Sequence, residues 1–333
     1  MQRPILPPMR KRAGVLLALP VLVAGLLALL MPSASAQRSA QAAQNVQKMR
    51  CFGAASRDPL KPCRNPALDL KVFPTPDDAL LYPNSPCEPN YQAVPVECRF
   101  GVPLEEAKGT VALIGDSHAT HWRSALQTVA EGYRWHGVSM TRTGCTFSTA
   151  TPILPGTLTE ECLQWREDIK AWFAANPQVR TVFISQHPGD VEVPPGKTAF
   201  GERVRGFRDA WKLLPDTVKH IVIIRDTPYV GIRTPDCIDR AVRRKQNPGT
   251  TCAIPVQRAL KTDHAAIAAE RFRSRIPGLK LVDMTKFLCD EEYCYPVVGG
   301  ALTHKDAGHI TLVFGETLGP YLLRKVRALG IKL

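Results

Sequence analysis

From Gly109 onward, short apolar runs alternate with longer stretches whose apolar side chains recur every three or four residues. Val111 to Ile114, Val138 to Thr141, Arg180 to Ser185, His220 to Arg225 and Leu279 to Met284 have the length and composition of strands. Between and after them, His121 to Tyr133, Glu160 to Ala175, Phe200 to Leu214, Pro255 to Arg275 and Leu312 to Ala328 carry the helical period. Buried strands alternating with amphipathic helices predict an α/β fold, a doubly wound parallel sheet of about five strands. Ligands of such sheets bind beyond the carboxyl ends of the strands, and Ser117 falls just after the first run.

The chain upstream reads differently. Arg3, Arg10, Lys11 and Arg12 precede an apolar stretch from Gly14 to Met31, and Ala34-Ser35-Ala36 precedes Gln37. These are the three parts of a secretory signal over residues 1–36. An uncleaved anchor through residues 14–31 is the rival reading, since the stretch is just long enough to span a bilayer; Pro20 and the small-residue site favour cleavage. Residues 37–105 read as a polar linker followed by a segment rich in Pro and Cys without sustained periodicity, and residues 106–333 as the main domain.

Export changes the meaning of the cysteines. All ten lie beyond the signal, and an oxidising compartment turns an even number into up to five disulfides. Sequence does not fix connectivity. Joining sequence neighbours closes small loops and gives Cys51–Cys63, Cys87–Cys98, Cys145–Cys162, Cys237–Cys252 and Cys289–Cys294 as a hypothesis. Cys-x-x-Cys is absent, which weakens a metal role.

The formal charge of +13, less the four positive charges of the signal, leaves +9 for the mature chain. Such a balance suits acidic envelope glycans or phosphorylated head groups, or serves solubility alone. No arginine-rich run argues for nucleic acid, and neither a Walker loop nor a dinucleotide fingerprint supports phosphate or hydride transfer.

The chemistry lies in two short motifs, Gly115-Asp116-Ser117-His118 and Asp306-Ala307-Gly308-His309. A serine hydroxyl attacks an ester only when a histidine removes its proton and an acid orients that histidine. Asp-x-x-His spacing puts the acid and base about one helical turn apart or on one tight loop. His309 is the base on this reading and Asp306 its orienter, with His118, His121 and His304 as rivals; Asp116 and His118 suit loop support. A zinc site of His118, His121, His304, Asp306 and His309 is the weaker alternative, lacking a His-Glu-x-x-His signal. Ala119 in place of a glycine argues against the nucleophile elbow of α/β-hydrolases.

Together the motifs resemble the SGNH hydrolase superfamily. Leu113 to Ala119 and Asp306 to Thr311 are more narrowly similar to SGNH domains that accompany acyltransferase-3 membrane proteins in O-acetylating bacterial surface glycans. The second motif of those domains usually continues Leu-Ser, where this chain has Ile310-Thr311. The resemblance covers residues 85 to 330 or so and implies a flavodoxin-like sheet, a Ser117–His309–Asp306 triad and no cofactor. It further implies oxyanion donors at the Ser117 amide and at Gly144; the superfamily's asparagine after the third strand is missing, leaving Gln186 as a candidate third donor. Trp122, Trp135, Trp165 and Trp172 are core by helical periodicity or, alternatively, line a sugar cleft.

The resulting expectation is an exported, periplasmic or cell-surface serine O-acetyltransferase working on an envelope polysaccharide through an acyl-Ser117 intermediate. Its partners would be an acceptor glycan and a separate acyltransferase-3 membrane protein as donor. A glycan O-acetyl esterase with the same triad and a non-catalytic glycan-binding module are the alternatives.

Overall fold

The computed structural model describes residues 45–88, 90–187 and 189–331, so the signal expected over 1–36 lies outside the described residues. Six strands form the central sheet: β1 (Cys98–Gly101), β2 (Gly109–Gly115), β3 (Trp135–Thr141), β4 (Val179–Ser185), β5 (His220–Ile224) and β6 (Leu279–Val282). Their spatial order is β1-β3-β2-β4-β5-β6. The last five are mutually parallel, and β1 runs antiparallel along β3.

Alternate side chains of the buried strands feed two cores. Val111 and Leu113 face α1 (Ser117–Tyr133) and the C-terminal helix Leu312–Ala328, through Trp122, Leu126, Phe314 and Leu318. Ala112 and Ile114 face α2 (Leu158–Ala175), α3 (Ala199–Lys212) and a helix over His264–Phe272, through Trp165, Phe173, Phe207 and Ala268. Helices on both faces are what a parallel sheet requires, because neither face is left to water. Trp122, Trp135 and Trp165 are fully buried core residues.

Three elements depart from the sequence expectation. β1 is four residues long and exposed at alternate positions, too brief to stand out. The helix α4 (Thr234–Arg243) begins with a Thr-Pro start signal inside a strongly charged stretch. The single helix expected over Pro255 to Arg275 is two: a short one at Val256–Ala259 and α5 (His264–Phe272). Asp263 makes the break, its carboxylate accepting the Ala266 amide at 2.8 Å as an N-cap. The C-terminal helix is then α6 (Leu312–Ala328).

The Cys- and Pro-rich segment packs on this framework. Phe52, Ala54 and Leu68 enter the core beside α6, and the Asp58 carboxylate pairs with Arg324 at 2.9 Å. Five disulfides are present, Cys51–Cys63, Cys87–Cys98, Cys145–Cys162, Cys237–Cys252 and Cys289–Cys294. Among the described residues no helix is long and apolar enough to cross a membrane.

Candidate active site

β2 pairs with β3 on one side and β4 on the other, so the chain leaves its carboxyl end at the point where the sheet order reverses. The turn there needs a glycine: Gly115 has φ +139°, and a Cβ would sit 2.1 Å from the Ser185 carbonyl oxygen. Asp116 then caps α1, accepting the His118 amide at 2.8 Å through Oδ1 and the His187 amide at 2.8 Å through Oδ2. Its carboxylate therefore ties the start of α1 to the end of β4, with Ser117 presented between them on the first turn of the helix.

Asp306 and His309 come from a tight loop rather than a helix. One Asp306 oxygen accepts the amides of Gly308 (2.9 Å) and His309 (2.8 Å), and His309 Nδ1–H donates to Oδ2 at 2.8 Å. His309 Nε2 lies 2.8 Å from Ser117 Oγ across 192 residues of chain. Burial works to raise the Asp306 carboxyl, but the hydrogen bonds and charge of His309, with the two loop amides, outweigh it and hold the group below the usual carboxylate range. Thr311 ends the loop by capping α6, accepting the Phe314 amide at 3.0 Å.

Of the rival histidines, His304 is buried, its Nδ1 bonded to Thr303 Oγ1 at 2.8 Å, and burial lowers it to about 3. His121 is also buried, both ring nitrogens lack a partner among the described residues, and burial pushes it well below 6.5. Both rings are neutral near neutral pH. His118 differs: its Nδ1–H donates to Asp226 Oδ1 at 2.6 Å, and His187 Nδ1 reaches Asp226 Oδ2 at 2.7 Å. Asp226 also accepts the Thr227 amide, and its own amide donates to the capping Asp263 carboxylate, both at 2.8 Å. Burial would lower the His118 imidazolium; the charge and hydrogen bond of Asp226, with Asp116 and Asp306, push it up to about 9 instead. The His118 ring stands 4.6 Å from that of His309.

Register places the remaining expected residues. Thr141 lies beside Gly115, which brings the Gly144 loop to one flank of Ser117; Ser185 lies beside it on the other flank, followed by Gln186. Gly144 adopts φ +74° and is exposed, pinned to α2 by the adjacent Cys145–Cys162 bridge. Gln186 Oε1 accepts the Phe147 amide at 2.8 Å, while its buried Nε2 has no partner among the described residues.

Sequence reasoning missed two sets of residues. Asp226 and His187 carry no motif; the available signal was polar residues directly following predicted strands of a doubly wound sheet. The other set is in the N-terminal segment, which holds both loops of the site. Asn84 Nδ2 donates to the Ile310 carbonyl at 2.9 Å, Glu88 pairs with Lys305 at 2.9 Å, and Asn90 bonds the Thr141 and Thr143 backbone.

For a metal, the five residues weighed from sequence do not bring three ligand atoms together, and Asp306 is taken up by His309 itself. His118, His187 and Asp226 do offer ligand atoms within 4.8 Å of one another. Hydrogen bonds of 2.6 and 2.7 Å to the two carboxylate oxygens account for that grouping.

No curated protein matches the chain. Among solved structures, the periplasmic domain of a Salmonella ser. Paratyphi A lipopolysaccharide acetyltransferase is similar at 18% identity and a TM-score of 0.48, covering 68% of this chain and 90% of that one. Residues 86–324 match the SGNH domain fused to AT3 domains, a span that takes in every strand of the sheet and both motifs. The chain belongs to that SGNH family.

Proposed function

We propose that the protein is an exported serine acyl-transfer enzyme, an O-acetyltransferase modifying a bacterial envelope polysaccharide through an acyl-Ser117 intermediate. One observation carries the reading: the unbroken chain from Ser117 Oγ through the His309 ring to the Asp306 carboxylate, with both links at 2.8 Å.

In the first half, Ser117 Oγ bonds to the acyl carbonyl carbon as its proton passes to His309 Nε2. Asp306 holds Nδ1–H, fixing the tautomer and stabilising the imidazolium. Collapse of the tetrahedral adduct expels the donor's leaving group, which takes that proton. In the second half, the acceptor hydroxyl gives a proton to His309, attacks the acyl carbon and releases Ser117, which takes the proton back. The oxyanion is assigned to the Ser117 amide, the Gly144 amide and Gln186 Nε2, each worth about 3 kcal/mol in the transition state. Asp116 and His118 support the serine loop.

The family's association with AT3 domains favours transfer. The acyl donor on this reading is a separate acyltransferase-3 membrane protein, and residues 1–36 direct export, with 37–105 as linker and disulfide-rich extension and 106–333 as the catalytic domain. The test is p-nitrophenyl acetate turnover by the disulfide-intact protein beside Ser117→Ala, with and without a chelator. Turnover that vanishes with Ser117 and ignores the chelator supports acyl-enzyme chemistry. Turnover no higher than the mutant's, with or without an acceptor glycan, would leave a non-catalytic binding module. Water as the sole acceptor, even with glycan present, would make the protein an O-acetyl esterase.

A further inference from the structure

A cavity of about 120 Å³ is lined by His118 and Gly308, the chain neighbours of Ser117 and His309, and by His187, Asp226, Tyr229 and Lys261, among others. Its walls come from the segments that follow β4, β5 and β6, and Gly308 joins it to the loop carrying His309. We propose that this cavity is the subsite for the acyl acceptor, and that His118 is the residue that positions it, its Nε2–H donating a hydrogen bond to a hydroxyl oxygen of a sugar ring. The proposal rests on the acyl-transfer reading of Ser117 and names the substrate class of that site.

The orientation of the His118 ring is the first argument. A carboxylate on Nδ1 leaves Nε2 as the outward atom, the same logic that aims His309 at Ser117. Here the outward atom has no partner among the described residues although the side chain is 90% covered, and the residue forms part of the cavity wall. The atom itself is not sealed from solvent, so it presents a charge-assisted donor to whatever fills the cavity. The loop opposite it leaves room, since Gly308 carries no side chain and an added Cβ there would stand 3.3 Å from His118 Cε1.

Size and chemistry select the ligand. About 120 Å³ is the space of roughly four waters, enough for one edge of a pyranose and too little for an oligosaccharide. Arg225 is engaged by Glu270 and Asp283, and Asp226 by the two histidines, so most of the wall's charges are already matched in pairs. Tyr229 is 37% exposed at the rim, with the Lys261 ammonium 5.4 Å over its ring. Directional polar groups beside a partly exposed aromatic face suit a hydroxylated ring better than an acyl chain.

The test uses the full-length, disulfide-intact Ser117→Ala protein, in which turnover is removed, labelled with ¹⁵N at histidine. It is titrated with the methyl glycosides of glucose, galactose, mannose and N-acetylglucosamine. At least one glycoside is expected to shift the His118 Nε2 resonance saturably, and His118→Gln in the same background to weaken that binding about tenfold. Tyr229→Ala, at the rim and away from the buried pair, is expected to weaken it severalfold and serves if the His118 variant does not fold. Shifts confined to other histidines, or none with all four glycosides, overturn the subsite. Because binding is read without Ser117, failure of p-nitrophenyl acetate turnover in the parent would sink the acyl-transfer reading while leaving the subsite's occupancy separately decided.

Discussion

Two histidine–aspartate pairs stand side by side in this protein, built alike and placed differently. In each, a carboxylate holds Nδ1, at 2.8 Å for Asp306 and His309 and at 2.6 Å for Asp226 and His118. The first pair is local in sequence and sits on a loop, its His and Asp side chains 25% and 43% exposed; the second joins the first turn of α1 to the end of β5 and is 10% and 12% exposed. A base that gives and takes protons in every cycle needs access to substrate, which the loop supplies. A pair taken out of water is held by its own mutual charge, and exchanging its proton becomes expensive. On the proposed function, similar chemistry would serve turnover in one place and fixed electrostatics in the other.

Asp306→Asn breaks the first pair and is expected to produce the largest effect on rate. With the wrong tautomer presented to Ser117, kcat for p-nitrophenyl acetate should fall by roughly 10⁴-fold. Stability should change by less than about 1 kcal/mol, since the pair is partly solvated. Denaturant titration beside the kinetics checks both halves.

Asp226→Asn inverts that pattern. Removing one partner of a buried pair leaves the other unmatched, so unfolding free energy should drop by about 3–5 kcal/mol. A loss under about 1 kcal/mol, the same as at Asp306, would remove the distinction between the pairs. His187, half-exposed on the other Asp226 oxygen, offers a milder version of the same experiment.

The pH dependence sharpens the comparison further. His118 is raised from 6.5 to about 9, so its contribution is fully present below pH 6.5 and is lost as the pH climbs through 9. At about 1.4 kcal/mol per unit this amounts to about 3 kcal/mol, to be read from unfolding curves between those limits and absent in Asp226→Asn. The acid side is governed by other groups. His304, lowered to about 3, is buried neutral, so stability falls as the pH drops below 6.5 and the unfolded chain takes up the proton. The depressed Asp226 and Asp306 carboxyls add a further loss below about pH 4.

How much of this was legible follows from the same contrast. The period of apolar residues located all five parallel strands, because a strand buried on both faces is written as a continuous run. Ser117, Asp306 and His309 stood in motifs whose local spacing is the geometry. Asp226 could not be read this way, being 108 residues from His118 and brought near only by the sheet order. β1 and the break before His264 were hidden for a different reason, since a four-residue strand and a single capping aspartate carry too little periodicity. The N-terminal segment showed no sustained period because it enters the core through isolated apolar side chains, Phe52, Ala54 and Leu68, and otherwise docks through single polar ones.

Those polar contacts give the smallest and most specific effect. Asn84 is buried, and its Nδ2 satisfies the Ile310 carbonyl next to His309. Asn84→Leu removes the donor and leaves that carbonyl buried and unpaired, a cost of about 1–3 kcal/mol. The loss should appear mainly as a looser Asp306–His309 loop, so kcat should fall by about tenfold while acetyl-substrate KM changes little. Restoring an amide at the same position through Asn84→Gln, with one more methylene to place, should recover part of the rate and less of the stability. If Asn84→Leu lowered the melting temperature and left kcat intact, the segment would be a clamp for the fold alone, and the loop would owe its geometry to Asp306, Thr227 and Thr311, which hold it from inside.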